Sequence, residues 1–254
     1  MRSNQSSRVD LRELFKNNPK FHRLVDIHPE LSDELTSWEA QMDALLAMQD
    51  VLEPRMNTLE TGCGRSTVMF AASGTNHWCV TPAKGETERV AGFCQEQNIS
   101  TNRVHFLIGD SQDILPKLDS SLRLHLVFID GGHFFPIPCF DWYYAGDHLI
   151  PEGLLVVDDV RIPTVRILFD FLQADENWEL IRLVGDTAFF RKLKHRRNLH
   201  DWLEQNYNRG YPDWSFLPPV PQPGKLRRAY WYARSGLGKN LAKIQRRLCK
   251  PERC

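Results

Sequence analysis

Between residues 57 and 192 the chain alternates strand-like and helix-like hydrophobic patterns, and this alternation constrains the fold more than any other feature. Short apolar runs of strand length occur at Thr58–Thr61, His77–Thr81, Val104–Ile108, Leu124–Asp130 and Leu154–Asp158. Each is followed by a segment of helical spacing: Thr67–Ala72, Glu86–Gln97, Ser111–Leu118, Cys139–Leu149 and Val165–Gln173. The runs LHLVFID and LLVVD are apolar almost throughout, as in strands buried on both faces. Two last strand signals, Glu179–Val184 and Ala188–Leu193, meet at Gly185–Asp186 and read as a hairpin. Five strand–helix units and a closing hairpin predict an α/β fold. The expected sheet is doubly wound, mostly parallel and seven-stranded, with helices on both faces and an antiparallel edge strand.

The flanks differ from this body. Residues 1–56 read as an N-terminal helical extension. Residues 10–16 suit a short helix, and residues 32–50 a longer one. Ser32 is placed as its N-cap, and Leu35, Trp38, Met42, Leu45 and Leu46 form its apolar stripe before Pro54 ends the unit. This helix is expected to cover the mouth of a site in the body or to join two copies of the chain. Residues 195–254 form a C-terminal extension, with a Pro- and aromatic-rich segment at 211–224 and a basic helical segment at 225–248. The chain carries 32 basic and 32 acidic side chains, but residues 1–189 have a net charge of −12 and residues 190–254 one of +12. The basic tail suits an acidic partner, a membrane surface or nucleic acid. The reading preferred is that it packs on the acidic body, since no nucleic-acid-binding motif occurs in it.

Hydrophobic residues make up 42% of the 254 and charged residues 25%, an ordinary globular balance. No apolar run reaches the roughly 18 residues of a transmembrane helix. The start, MRSNQSSRVDLRELF, lacks the apolar stretch of a secretory signal, so a cytoplasmic protein is expected. The six cysteines include no CxxC pair, and reduced thiols are expected in place of a disulfide frame or a zinc site.

Four motifs carry chemistry, and all fall at predicted strand ends. The first is Glu60-Thr61-Gly62-Cys63-Gly64-Arg65-Ser66-Thr67, a strand end turning into a helix. Its glycines allow a tight turn and close approach of a ligand, and the helix start offers free N–H groups. Such a turn also occurs as a plain strand–helix connection. A nicotinamide dinucleotide site would need a third glycine, where Thr67 stands, and an acid at the end of the second strand, where Val80-Thr81-Pro82-Ala83 stands. The second motif is Gly109-Asp110-Ser111, in which Asp110 equally suits a helix cap. The third is Ile129-Asp130-Gly131-Gly132-His133, and the fourth Asp158-Asp159. Strands carrying the last two should be neighbours, which gathers Asp130, Asp158 and Asp159. Three carboxylates together repel one another unless a cation joins them, and a hard divalent ion is the simplest such cation.

In this order the four motifs resemble the class I S-adenosylmethionine-dependent methyltransferases over residues 57–194. The match is closest to a bacterial subgroup resembling catechol-type and sugar O-methyltransferases, whose pattern is a GxGxS turn, IDGxH, a helix with an Asp, an LxPxG turn and a DD pair. Here these are Gly62-Cys63-Gly64-Arg65-Ser66, Ile129-Asp130-Gly131-Gly132-His133, Asp141, Leu149-Ile150-Pro151-Glu152-Gly153 and Asp158-Asp159. The resemblance implies S-adenosylmethionine as cofactor. It places Glu60, Gly62 and Gly64 at the methionine end and backbone of the cofactor and Asp110 and Ser111 near its adenine, and counts Cys63, Ser66, Thr81 and Asp130 among the cofactor-binding residues. It implies Mg2+ or another divalent cation on Asp130, Asp158 and Asp159, and His133 as the base, with Asp130 beside it in catalysis. One departure stands out: the family's second strand usually ends in an acid that grips the ribose. Here Thr81, Glu86 or a backbone group takes that role, or affinity is weakened.

The implied reaction is transfer of a methyl group to the hydroxyl of a small molecule, in which positioning supplies much of the rate. A cation on the hydroxyl lowers its pKa, and His133 takes the proton. His133 could instead make a structural hydrogen bond below the Gly-Gly turn. Phe134, Phe135, Trp142, Tyr143 and Tyr144 line an acceptor pocket or, for Trp142 and Tyr143 in preference, form the apolar face of a helix. Two other readings stay open: a cofactor-binding protein without catalysis, and a nucleic-acid methyltransferase guided by the basic tail. Fold alone does not choose among them.

Overall fold

A computed structural model describes residues 8–23, 35–36, 39–194 and 205–209. Residues 1–210 form one compact unit. The second unit, Tyr211–Cys254, lies outside the described residues, and with it the expected linker and basic helix. In chain order the elements are α1 (Leu11–Leu14), β1 (His22–Arg23), β2 (Leu35–Thr36), α2 (Met42–Gln49), β3 (Asn57–Thr61), α3 (Arg65–Ala72), β4 (Asn76–Thr81), α4 (Lys84–Glu96), β5 (Val104–Ile108), α5 (Ser111–Ile114), β6 (Leu124–Ile129), α6 (Ile137–His148), β7 (Leu149–Val157), α7 (Pro163–Ala174), β8 (Trp178–Val184), β9 (Thr187–Lys192) and α8 (Asn206–Arg209).

The seven-stranded sheet has the order β5-β4-β3-β6-β7-β9-β8. Pairings from β5 through β7 are parallel. The antiparallel strand is β9, last in sequence, which pairs with both β7 and β8. The hairpin turn at Gly185, with φ 60°, folds β9 back so that it slots between β7 and the outermost β8. Side chains alternate across the sheet: Val127 and Ile129 join the core on one face with Leu155, Leu168 and Phe190, while Phe128 joins Met48, Phe70 and Phe189 on the other. Both faces are therefore covered, which explains the unbroken apolar runs of β6 and β7.

Chain order reverses between β3 and β6, so a crevice opens beyond their carboxyl ends, the usual place for a ligand in such sheets. Backbone bonds continue the pairing past the strand ends and hold the crevice walls in register. Gly62 N donates to Val80 O at 2.9 Å, Asp130 N to Thr61 O at 3.1 Å, and Asp158 N to Ile129 O at 3.0 Å.

The expected helix over 32–50 is corrected. Leu35–Thr36 is a strand paired with His22–Arg23, residues 39–41 are not helical, and the helix covers only Met42–Gln49. Ser32, its expected N-cap, lies outside the described residues. The physical reason is tertiary. Glu39 reaches the glycine turn, where its Oε2 accepts the Arg65 N–H at 3.0 Å, and Gln41 stays extended with ψ 140° to allow this. A fixed contact thus outweighs the helical period of the stripe. The expected helix 111–118 divides at Pro116 into α5 and a 3₁₀ turn, Leu115–Lys117.

Candidate active site

The glycine turn after β3 is held from both sides. Gly62 has φ 101°, and a Cβ there would lie 2.5 Å from the carbonyl oxygen of Asp130. Only glycine lets β3 and β6 end this close together. Thr67, standing where a third glycine was sought, does a different job. Its hydroxyl accepts the Gly64 N–H at 3.0 Å and donates to Glu60 Oε1. His77 Nε2 lies 3.0 Å from the same Oε1, while its ring stacks on Phe70 and Nδ1 lies 2.9 Å from Thr58 Oγ1. Glu60 is fully buried, and its Oε2 has no hydrogen-bond partner. An acceptor this costly to bury without a donor suits a ligand that brings one, such as an ammonium. Cys63 and Ser66 are buried in the turn and Thr81 at the end of β4, whereas Asp110 is exposed beyond β5 with Ser111 half-buried beside it. Asp110 occupies an N-cap position without a side-chain capping bond, so its carboxylate is not spent on the helix.

The carboxylate groups meet at the adjacent ends of β6 and β7. Asp130, His133 and Asp159 each offer a ligand atom, all within 4.8 Å of one another. His133 Nε2 lies 3.7 Å from Asp130 Oδ1 and 3.4 Å from Asp159 Oδ2, and it is buried without a hydrogen bond. Asp159 turns its side chain into this group with φ 54°, a left-handed conformation that non-glycine residues rarely adopt. Thr164 Oγ1 donates to the His133 carbonyl and anchors the loop to α7. Asp158, expected among the ligands, stands behind this set. It is buried, and its Oδ1 accepts from the Thr187 hydroxyl of β9.

Burial pushes the Asp130 carboxyl up to about 7; His133 pulls it down, and Asp158 and Asp159 add to the rise. The Asp130 carboxylate beside it raises the His133 pKa against the opposing effect of burial. Burial also raises Asp158. This crowding of negative charge is the condition that a bound cation relieves. The two carboxylates fit a hard divalent ion, with an imidazole beside them.

Asp141 on α6, which the sequence offers only as part of the family pattern, is fully buried, neither oxygen is hydrogen-bonded, and burial raises its pKa to about 6. Two further groups were not legible. His22 and Glu39, from the N-terminal extension, carried no motif. Burial disfavours charge on His22, yet the neighbouring carboxylates of Glu39 and Glu86 overcome this and raise its pKa to about 10. The folded value lies above the unfolded one near 6.5, so the charge stabilises fully below about pH 6.5 and the contribution is lost as pH rises through about 10. His22→Gln is therefore expected to remove part of the fall in thermal midpoint between pH 7 and 10. An identical pH slope in both proteins would show that His22 carries no such charge.

The strand order, the glycine turn at the reversal and the acids at neighbouring strand ends are arranged as in the fold of the class I S-adenosylmethionine-dependent methyltransferases. Residues 59–160, which span all four motifs, match a family model described as "Methyltransferase domain". None of the curated proteins compared matches the sequence. The fold is shared with the O-methyltransferase TomG from Streptomyces achromogenes, involved in tomaymycin synthesis and solved with SAM: 20% identity, 72% of this chain and 90% of that one, TM-score 0.54. It is shared with an O-methyltransferase from Bacillus cereus solved with SAH, at 17% identity over 76% of this chain and 94% of that one, TM-score 0.52. A putative O-methyltransferase from Klebsiella pneumoniae gives 15% identity over 72% and 90%, TM-score 0.53. Among the described residues no helix is long and apolar enough to cross a membrane.

Proposed function

We propose that the protein is an S-adenosylmethionine-dependent O-methyltransferase that acts on a small-molecule hydroxyl with the help of a divalent cation. The observation that carries this reading is the meeting of Asp130, His133 and Asp159 within 4.8 Å, next to the glycine turn. S-adenosylmethionine supplies an activated methyl group on sulfur. A divalent ion, Mg2+ in the simplest case, would rest on Asp130 and Asp159, with the Asp158 charge behind, and would supply Lewis acidity at the acceptor oxygen.

This chain's own residues then have separate tasks. Gly62, Cys63, Gly64 and Ser66 shape the turn around the methionine end, and Glu60 Oε2 takes its ammonium. Asp110 and Ser111 border the adenine. His133 accepts the acceptor's hydroxyl proton at Nε2, which no other hydrogen bond occupies. Phe134 and Phe135 follow directly and are 66% and 60% exposed, an unusual state for two consecutive phenylalanines. They form an apolar lip beside His133 that favours an acceptor with a flat or apolar body.

The experiment is methyl transfer from labelled S-adenosylmethionine to a panel of phenols, sugars and hydroxylated metabolites, with Mg2+ and with a chelator. Product that requires the metal is expected. Product indifferent to the chelator would sink the cation role. Cofactor binding without product on any acceptor would favour a non-catalytic binding protein, a reading whose support is the missing strand-end acid at Thr81.

A further inference from the structure

The end of the sheet opposite the crevice also holds a cavity. Its volume is about 560 Å³, and Asn76, Ser100, Asn102, Arg103 and His105 form its polar lining. That size suits one small molecule. Asn76 opens β4 and Arg103 directly precedes β5, so the cavity lies at the amino ends of these strands. Thr81, at the crevice end of β4, is roughly 16 Å away along a strand that rises about 3.3 Å per residue.

No carboxylate lines this cavity, although residues 1–189 carry a net charge of −12. Other surface arginines of this body pair with acids: Arg8 with Asp50, Arg12 with Asp43 and Arg166 with Asp170. Arg103 has only a neutral partner among the described residues, its Nη1 donating to Asn76 Oδ1 at 2.9 Å. Asn76 is itself braced, because its Nδ2 donates to Asn57 Oδ1 at 3.0 Å and to Arg55 O at 3.3 Å. One fixed amide thus aims the guanidinium and leaves most of its five N–H donors uncommitted. Arg55 is tied beside the cavity by its backbone, whose N–H donates to Gly74 O at 2.9 Å. Its side chain is exposed and has no ion pair among the described residues. His105 stands two residues from Arg103 on the same side of the edge strand β5. Its exposed ring rests on Trp78, with centroids 4.9 Å apart.

We propose that this cavity is a second ligand site, which binds a small phosphate monoester. Arg103 grips the phosphate, whose oxygens match the fork of a guanidinium, and Arg55 adds charge at the rim. The Ser100 hydroxyl and the Asn102 amide add neutral hydrogen bonds, and the ring of His105 receives a flat organic part. A polymer such as RNA needs a longer row of cations than two arginines. The site is independent of the cofactor reading, since none of these residues belongs to the crevice.

The test is calorimetric titration of the full chain with inorganic phosphate, ribose 5-phosphate and phenyl phosphate, without divalent cations. Saturable binding of both esters is expected, tighter than that of inorganic phosphate and weakened by salt. Arg103→Gln is expected to weaken ester binding by about tenfold or more, the loss typical for hydrogen bonds to a charged group. Arg55→Gln should weaken it less, and His105→Ala should weaken phenyl phosphate while leaving inorganic phosphate unchanged. Arg103 and His105 are exposed, so both variants should melt like wild type. Failure of wild type to bind any of the three overturns the proposal. So does binding that Arg103→Gln leaves unchanged, which places the ligand elsewhere. Equal affinity for inorganic phosphate and both esters would mean an adventitious ion only and overturns it too. A single-stranded oligonucleotide that binds more tightly than phenyl phosphate, and loses this in Arg103→Gln, would assign the surface to nucleic acid instead.

Discussion

His133→Gln is expected to lower methyl transfer by roughly 10²–10⁴-fold, the usual contribution of a positioned general base. Glutamine keeps the size of the side chain and a polar end but cannot take a proton. S-adenosylhomocysteine affinity should stay near the wild-type value, because the glycine turn and Glu60 lie on the β3 side of the crevice. His133 also draws the Asp130 pKa down, so its loss leaves Asp130, Asp158 and Asp159 without the neighbour that offsets their crowding. The variant should therefore depend more steeply on divalent cation than wild type does. Added imidazole should restore part of the rate. Turnover close to wild type would show that His133 is only the structural support of the Gly131-Gly132 turn. Loss of cofactor binding together with rate would instead point to a collapsed loop, since the His133 carbonyl is tied to Thr164.

Gly62→Ala is expected to be the most damaging single change in the turn. The substitution puts an L residue at φ 101° and a carbon 2.5 Å from Asp130 O. Strain in such a region costs on the order of 1–3 kcal/mol, and the clash adds to it. A loss of roughly 2–4 kcal/mol lowers the midpoint of a unit this size by about 5–15 °C. The carbon can be relieved only by pushing Asp130 away, so cofactor and cation affinity should fall as well. Gly92→Ala is the matched control, because Gly92 lies in α4 with nothing within 4 Å of an added Cβ. Alanine there should stabilise by about 0.5–1 kcal/mol through helix propensity. Equal midpoints for the two variants would mean that the turn is free to relax and that its close approach to β6 is not enforced.

Periodicity located the elements of the body to within a few residues because its strands are short, apolar and bounded by turn residues. Val104–Ile108 coincides with β5, and Leu124–Asp130 differs from β6 by one residue. The end of the sheet was legible for the same reason, with Gly185–Asp186 marking the fold-back that gives β9 its antiparallel direction. The arm was not legible. Leu35 and Met42 share a helical stripe, but they belong to a strand and to a helix whose preceding residues 39–41 are not helical. No local pattern records that Glu39 is drawn to a backbone N–H of α3, 26 residues further on.

The same division runs through the site. Asp130, His133, Asp158 and Asp159 could be named from the chain alone, because each follows a strand whose neighbours the topology rules assign. Which of them face one another depended on backbone angles and on a partner from another strand. The φ of 54° at Asp159 turns its carboxylate toward His133, while Thr187 of β9 holds Asp158 behind. Likewise, the chain shows an acid missing after Val80-Thr81, but the carboxylate that Thr81 meets in the fold is Glu86 of α4. Local spacing determines which elements form and in what order. Long-range packing determines which side chains share a few ångströms of space, and the direction and burial of charged groups follow from that packing.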